Sequence, residues 1–103
     1  MILYNVTIKI SNIRKKDWLI WMQTTHIPDV MNTGLFTEYK LSRILGEEED
    51  GGTTYAIQYL SPSMETFEEY QSKHAKILQA EHTERYKNQY VAFRTLMEVV
   101  AAG

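Results

Sequence analysis

From Ile2 to Ile10 the residues Ile2, Tyr4, Val6, Ile8 and Ile10 alternate with Leu3, Asn5, Thr7 and Lys9, a period of two that gathers the large apolar side chains on one face of a strand. A strand patterned in this way is half-buried, so the rest of the chain must cover that face. Ser11-Asn12 supplies a turn, after which Trp18, Trp21, Met22 and Thr25 recur at helical spacing until His26-Ile27-Pro28 interrupts them. Pro28 opens a second helical segment, with Asp29 favoured by the N-terminal dipole, and Gly34 closes the unit. The first helix is therefore expected to break or kink at His26.

Leu35–Leu45 and Thr53–Leu60 read as two strands of an antiparallel hairpin, joined by the acidic run Glu47-Glu48-Glu49-Asp50 and Gly51-Gly52, which suits a solvated tip. Ser63 then caps a long helix, without the Glu or Gln three residues on that would complete a capping box. Phe67, Tyr70, His74, Ile77 and Leu78 form its expected apolar face, with Glu69–Lys73 and Glu81–Arg85 as i,i+4 pairs on the wet side. Val91–Val100 is the last strand, with Val91, Phe93, Thr95, Met97 and Val99 on one face. The order β-α-β-β-α-β is the split βαβ, ferredoxin-like arrangement: an α+β fold with two helices on one face of a four-stranded antiparallel sheet, in a single domain over residues 1–103. Alternation assigns Leu3, Asn5, Thr7, Lys40, Ser42, Ala56, Gln58, Arg94, Leu96 and Glu98 to the other face, which is either solvated or closed by a second copy.

Composition narrows the chemistry. The 103 residues carry a formal net charge of −2 and no cysteine, which excludes a disulfide framework, a thiolate nucleophile and thiolate metal centres and favours a cytoplasmic setting. The N-terminal charges follow the apolar stretch instead of preceding it, unlike a signal peptide, and no apolar run approaches a membrane span. Gly51-Gly52 follows four acids and would repel phosphate, and no Gly-x-Ser-x-Gly turn is present.

The stretches Trp18-Leu19-Ile20-Trp21-Met22, His26-Ile27-Pro28-Asp29-Val30-Met31, Gly34-Leu35-Phe36, Arg85-Tyr86 and Tyr90-Val91-Ala92-Phe93-Arg94 resemble a small uncharacterised bacterial family of the dimeric α+β barrel superfamily. The resemblance covers nearly the whole chain and brings no known activity. It implies a homodimer in which two sheets pair into a barrel, with small-molecule pockets between sheet and helices. The superfamily spans antibiotic-biosynthesis monooxygenases, heme-degrading enzymes, polyketide cyclases, isomerases and stress-response proteins, so the fold does not select a reaction. The heme-degrading branch uses an Asn on strand one with a Trp and a His on the second helix. Asn5 matches the first position, but the aromatic position falls on Tyr70 and the His position near Ala80, between His74 and His82. The pattern departs from that branch.

Among the histidines, His26 is either a hydrogen-bonded cap at the helix break or a side chain turned into a cleft. His74, on the stripe Tyr70, His74, Leu78, His82 and Tyr86, is either bonded at the core edge or part of a pocket. His74 and His82 lie about 12 Å apart along a straight helix, too far to share an ion, so no metal and no cofactor is expected. Tyr4, Tyr55 and Tyr59 crowd adjacent strands, yet the basic signature of an RNA-stacking sheet is missing and the net charge is negative, so nucleic acid is not an expected partner. Two readings remain: a small homodimeric pocket protein or cofactor-independent enzyme for an apolar or aromatic metabolite, with polar groups drawn from Asn5, His26, Arg43, Tyr59, Tyr70 and His74, and a noncatalytic homodimeric interaction or regulatory module.

Overall fold

A computed structural model describes residues 1–46 and 50–103, so Glu47, Glu48 and Glu49 of the expected acidic tip lie outside the described residues. The elements run β1 Ile2–Ser11, α1 Lys15–Trp21, a π-helical turn Met22–His26, α2 Ile27–Met31, β2 Glu38–Arg43, β3 Gly52–Ser61, α3 Met64–Lys73, α4 Ala75–Tyr86 and β4 Tyr90–Glu98. The strands form one antiparallel sheet in the order β2-β3-β1-β4. This is the ferredoxin-like α+β fold expected from the element order, with the alternating strand β1 at its centre. Its apolar stripe is buried together with Trp18, Met22, Ile27 and Val30 from the first helical unit and Phe67, Tyr70, Leu78 and Tyr86 from the second. Among the described residues no helix is long and apolar enough to cross a membrane.

The helix does not break at His26. The backbone stays right-handed through Met22, His26 and Ile27, and the Ile27 N–H reaches the Met22 carbonyl five residues back. Pro28 has no N–H, and its ring would crowd the carbonyl four residues earlier; the wider π turn gives that ring room. Thr24 Oγ1 and Gln23 Nε2 donate to the Ile20 and Leu19 carbonyls at 2.7 and 3.1 Å. The inserted residue also rotates the buried face. Thr25, expected inward, is exposed, whereas Ile27 takes the place in the core. Gly34, at φ 77°, ends the unit in the left-handed region that favours glycine.

The second helix begins as the sequence indicates, with Ser63 Oγ accepting from the Thr66 N–H at 3.1 Å. It is not one helix, because the backbone leaves helical geometry at His74 (φ −127°, ψ −35°) and restarts at Ala75. The change of phase leaves Ile77, expected in the core, 66% exposed, and brings His82 and Tyr86 inward. Glu69 and Lys73 pair at 3.8 Å, while Arg85 turns to Asp17, also at 3.8 Å.

The facing of β4 is the reverse of the expectation. Val6 pairs with Arg94, Tyr4 with Leu96 and Ile2 with Glu98, and cross-strand partners share a face. Arg94, Leu96 and Glu98 therefore project on the helix side, and Val91, Phe93, Thr95 and Met97 line the open side with Leu3, Asn5 and Thr7. The physical reason is position: β4 is an edge strand that the helices do not fully cover, so its apolar alternation marks the side away from them. On that open side Val91 is 67%, Phe93 63% and Met97 36% exposed. Asn5 Nδ2 donates to Thr7 Oγ1 at 2.9 Å, so the buried polar pair at the centre of this face is internally satisfied.

Candidate functional site

Beside the packed core, the sheet and helices leave a cleft at the β4 edge, lined by Tyr4 and Val6 of β1, Tyr59 of β3, Tyr70 of α3, Gln79 and His82 of α4, His26 of the π turn and Arg94 of β4. Each comes from an element already accounted for. The β1 alternation aims Tyr4 at the helices. The π turn swings His26 off the exposed side, and the restart of α4 after His74 aims His82 inward. The β4 register puts Arg94 beside Val6. The free space in the cleft is about 30 Å³, room for a water or two. Arg94 is exposed at the mouth.

The walls are aromatic. Tyr4 lies 6.1 Å from both Tyr59 and Tyr70, ring centre to ring centre, His26 stacks on Trp21 at 5.2 Å, and His82 meets Tyr90 edge-on at 4.5 Å. The two imidazoles stand 5.8 Å apart. Trp18 Nε1–H donates to His82 Nε2 at 2.9 Å, which makes His82 an acceptor there and leaves its proton on Nδ1. Among the described residues His26 has no such anchor: its Nδ1 is buried without a hydrogen-bond partner, and its side chain makes no cap hydrogen bond at the start of α2. His26 therefore lines the cleft without making a side-chain cap at α2.

Burial, with Arg94 nearby, holds both histidines well below their ordinary value, to about 4 in each case. Both are neutral at physiological pH. Burial likewise pushes the hydroxyls of Tyr59, Tyr70 and Tyr4 upward, and Arg94 opposes it at the last two. The cleft therefore contains neutral hydroxyls, neutral imidazoles and one fixed positive charge. Among the described residues no group of three His, Asp or Glu comes together to hold a metal ion.

Of the residues singled out from the sequence, His26, Tyr59 and Tyr70 come together here. His74 sits half-buried at the α3–α4 junction, 6.3 Å from the Tyr70 ring, and is not among the lining residues. Asn5 is on the opposite sheet face, and Arg43 is exposed at the end of β2. Sequence reasoning missed Tyr4, Gln79, His82 and Arg94. For His82 a signal existed, since it shares the i,i+4 stripe with Tyr70. For Arg94 there was none without the β1–β4 register.

A family model described as a domain of unknown function, DUF4286, matches residues 1–100 of the chain. No curated protein matches. Among solved structures, the chain is similar to a dimeric ferredoxin-like protein from an uncultured marine organism, with a TM-score of 0.74, 12% identity, and coverage of 100% of this chain and 98% of the other. HapK from Hahella chejuensis gives a TM-score of 0.70 at 8% identity, covering 100% and 96% of the two chains. SnoaB from Streptomyces nogalater, a cofactor-independent oxygenase, gives 0.58 at 7% identity, covering 98% and 95%. At such identities these likenesses establish the fold alone.

Proposed function

Because the chain belongs to the DUF4286 family, a domain of unknown function, we propose its role from the geometry: it is a homodimeric pocket protein that binds a small planar, largely apolar ligand in the cleft between the β4 edge and the helices. The observation that carries this reading is the buried, unpartnered Nδ1 of His26 in that aromatic cleft. Leaving a buried polar atom unpaired costs about 1–3 kcal/mol, so a ligand or water that satisfies it recovers that energy. Val6, Ile8 and Ile57 offer an apolar floor, and four tyrosines offer flat walls.

Entry requires movement, because an aromatic ring exceeds the free space. Arg94 is the residue to move. It is long, exposed and on an edge strand, and its displacement uncovers the cleft without disturbing β1. The open sheet face supports the dimer. Phe93, Val91 and Met97 would be covered by a second copy, consistent with the dimeric ferredoxin-like protein that this chain resembles, and a stable interface of this kind buries on the order of 1,600 Å² or more.

Titration with nitrobenzene, read by tryptophan fluorescence, tests the pocket, since Trp21 stacks on His26 and Trp18 bonds His82. Saturable quenching is expected in the native chain and its loss in Ala92→Phe, which fills the cleft beside Arg94 from a half-buried edge position. Quenching that rises linearly without saturation, or that the substitution leaves untouched, would contradict the reading.

A further inference from the structure

We propose, resting on that reading of the cleft, that the ligand is held as an anion, the conjugate base of a planar phenol, enol or carboxylic acid, with Arg94 as its counter-ion and the His26 Nδ1–H as donor to its charged oxygen. Three observations converge on this. First, among the described residues no Asp or Glu lines the cleft and Arg94 forms no ion pair, although every other arginine of the helical layer, Arg14 and Arg85, is paired with Asp17. Glu98, on the same face of β4, stands four residues along the strand, about 13 Å away. Second, the Arg94 side chain, although exposed, lines the cleft and engages the Tyr4 hydroxyl. Its field reaches His26, His82, Tyr4 and Tyr70 across the cleft. Third, among the described residues His26 Nδ1 has no hydrogen-bond partner, so it is available to donate to a ligand atom.

The charged and titratable groups facing His26 agree. From α2, Asp29 alone favours the imidazolium; from β4, Arg94 opposes it; His82 of α4 and the tyrosines of β1 and α3 are neutral. A neutral imidazole beside a fixed cation is a hydrogen-bond donor set for an anion, and the apolar walls reject small hydrated anions that lack a planar body. Binding an un-ionised phenol at neutral pH then expels one proton to solvent: the O–H bond breaks, the electron pair stays on oxygen facing Arg94, and His26 remains neutral.

The probe is 4-nitrophenol, whose anion is yellow and whose neutral form is colourless. In a solution buffered below the free probe's own titration point, adding the native protein is expected to turn the bound fraction yellow, an apparent shift of about tenfold or more toward the anion. Arg94→Gln, at an exposed edge position that circular dichroism can show to be folded, is expected to abolish the colour change. Bound probe that stays colourless in the native protein, or a yellow complex that survives Arg94→Gln, overturns the proposal. Saturable nitrobenzene binding in those cases would leave the pocket itself standing, whereas the absence of binding by either probe removes both.

Discussion

Acidification should destabilise this chain through two particular histidines. His26 and His82 titrate near 4 in the folded chain because of burial, against 6.5 for the free side chain. As pH falls the unfolded chain takes up these protons first, so their contribution is complete above about 6.5 and is lost as pH drops toward 4. Integrating that difference from about pH 7 to about pH 4.5 gives roughly 2.5 kcal/mol for each histidine, about 5 for the two. His82→Gln isolates one of them. The Gln amide oxygen can accept from Trp18 Nε1–H as His82 Nε2 does, but it does not titrate. Urea denaturation followed by far-UV circular dichroism at both pH values, at one fixed protein concentration, should show the variant losing about 2.5 kcal/mol less stability than the native chain. The depressed carboxylates Asp17 and Asp50 act equally in both proteins and cancel in the comparison. Equal losses in the two proteins would refute the claim that His82 is buried neutral.

Trp18→Phe removes the only donor to His82 Nε2 among the described residues and should cost about 1–3 kcal/mol in the same assay at neutral pH. Ser63→Ala, which deletes the α3 cap, should cost about 1 kcal/mol. Phe93→Lys, at a 63% exposed position on the open face, should convert a sedimenting dimer to a monomer, and a dimer that persists would place the interface elsewhere. His74→Ala, outside the cleft lining, should leave nitrobenzene quenching unchanged.

What could be read from the sequence was what depends on neighbours along the chain. The β1 alternation, the order of elements and the Ser63 cap all follow from local spacing, and each reappears in the structure. The β4 alternation was equally plain, but hydropathy says only that Val91, Phe93 and Met97 share a face, not whether helices or another sheet would cover it. That choice depends on pairing Val6 with Arg94, a contact between residues far apart in the chain. The same register hid Arg94 from any reading of the site. His74 and His82 share one i,i+4 stripe, so spacing alone did not separate them; the break at His74 leaves that residue at the α3–α4 junction and puts His82 on the inner face of α4. The π turn has a similar effect at His26, where one inserted residue turns a helix-end histidine into a cleft wall.

A crystal structure of the chain grown in the presence of 4-nitrophenol tests the central claim most directly. It should show the ring among Tyr4, Tyr59 and Tyr70, the phenolate oxygen within hydrogen-bond reach of His26 Nδ1, and the Arg94 guanidinium drawn onto that oxygen. A cleft holding only water, with Arg94 unmoved and the probe elsewhere or absent, would contradict it.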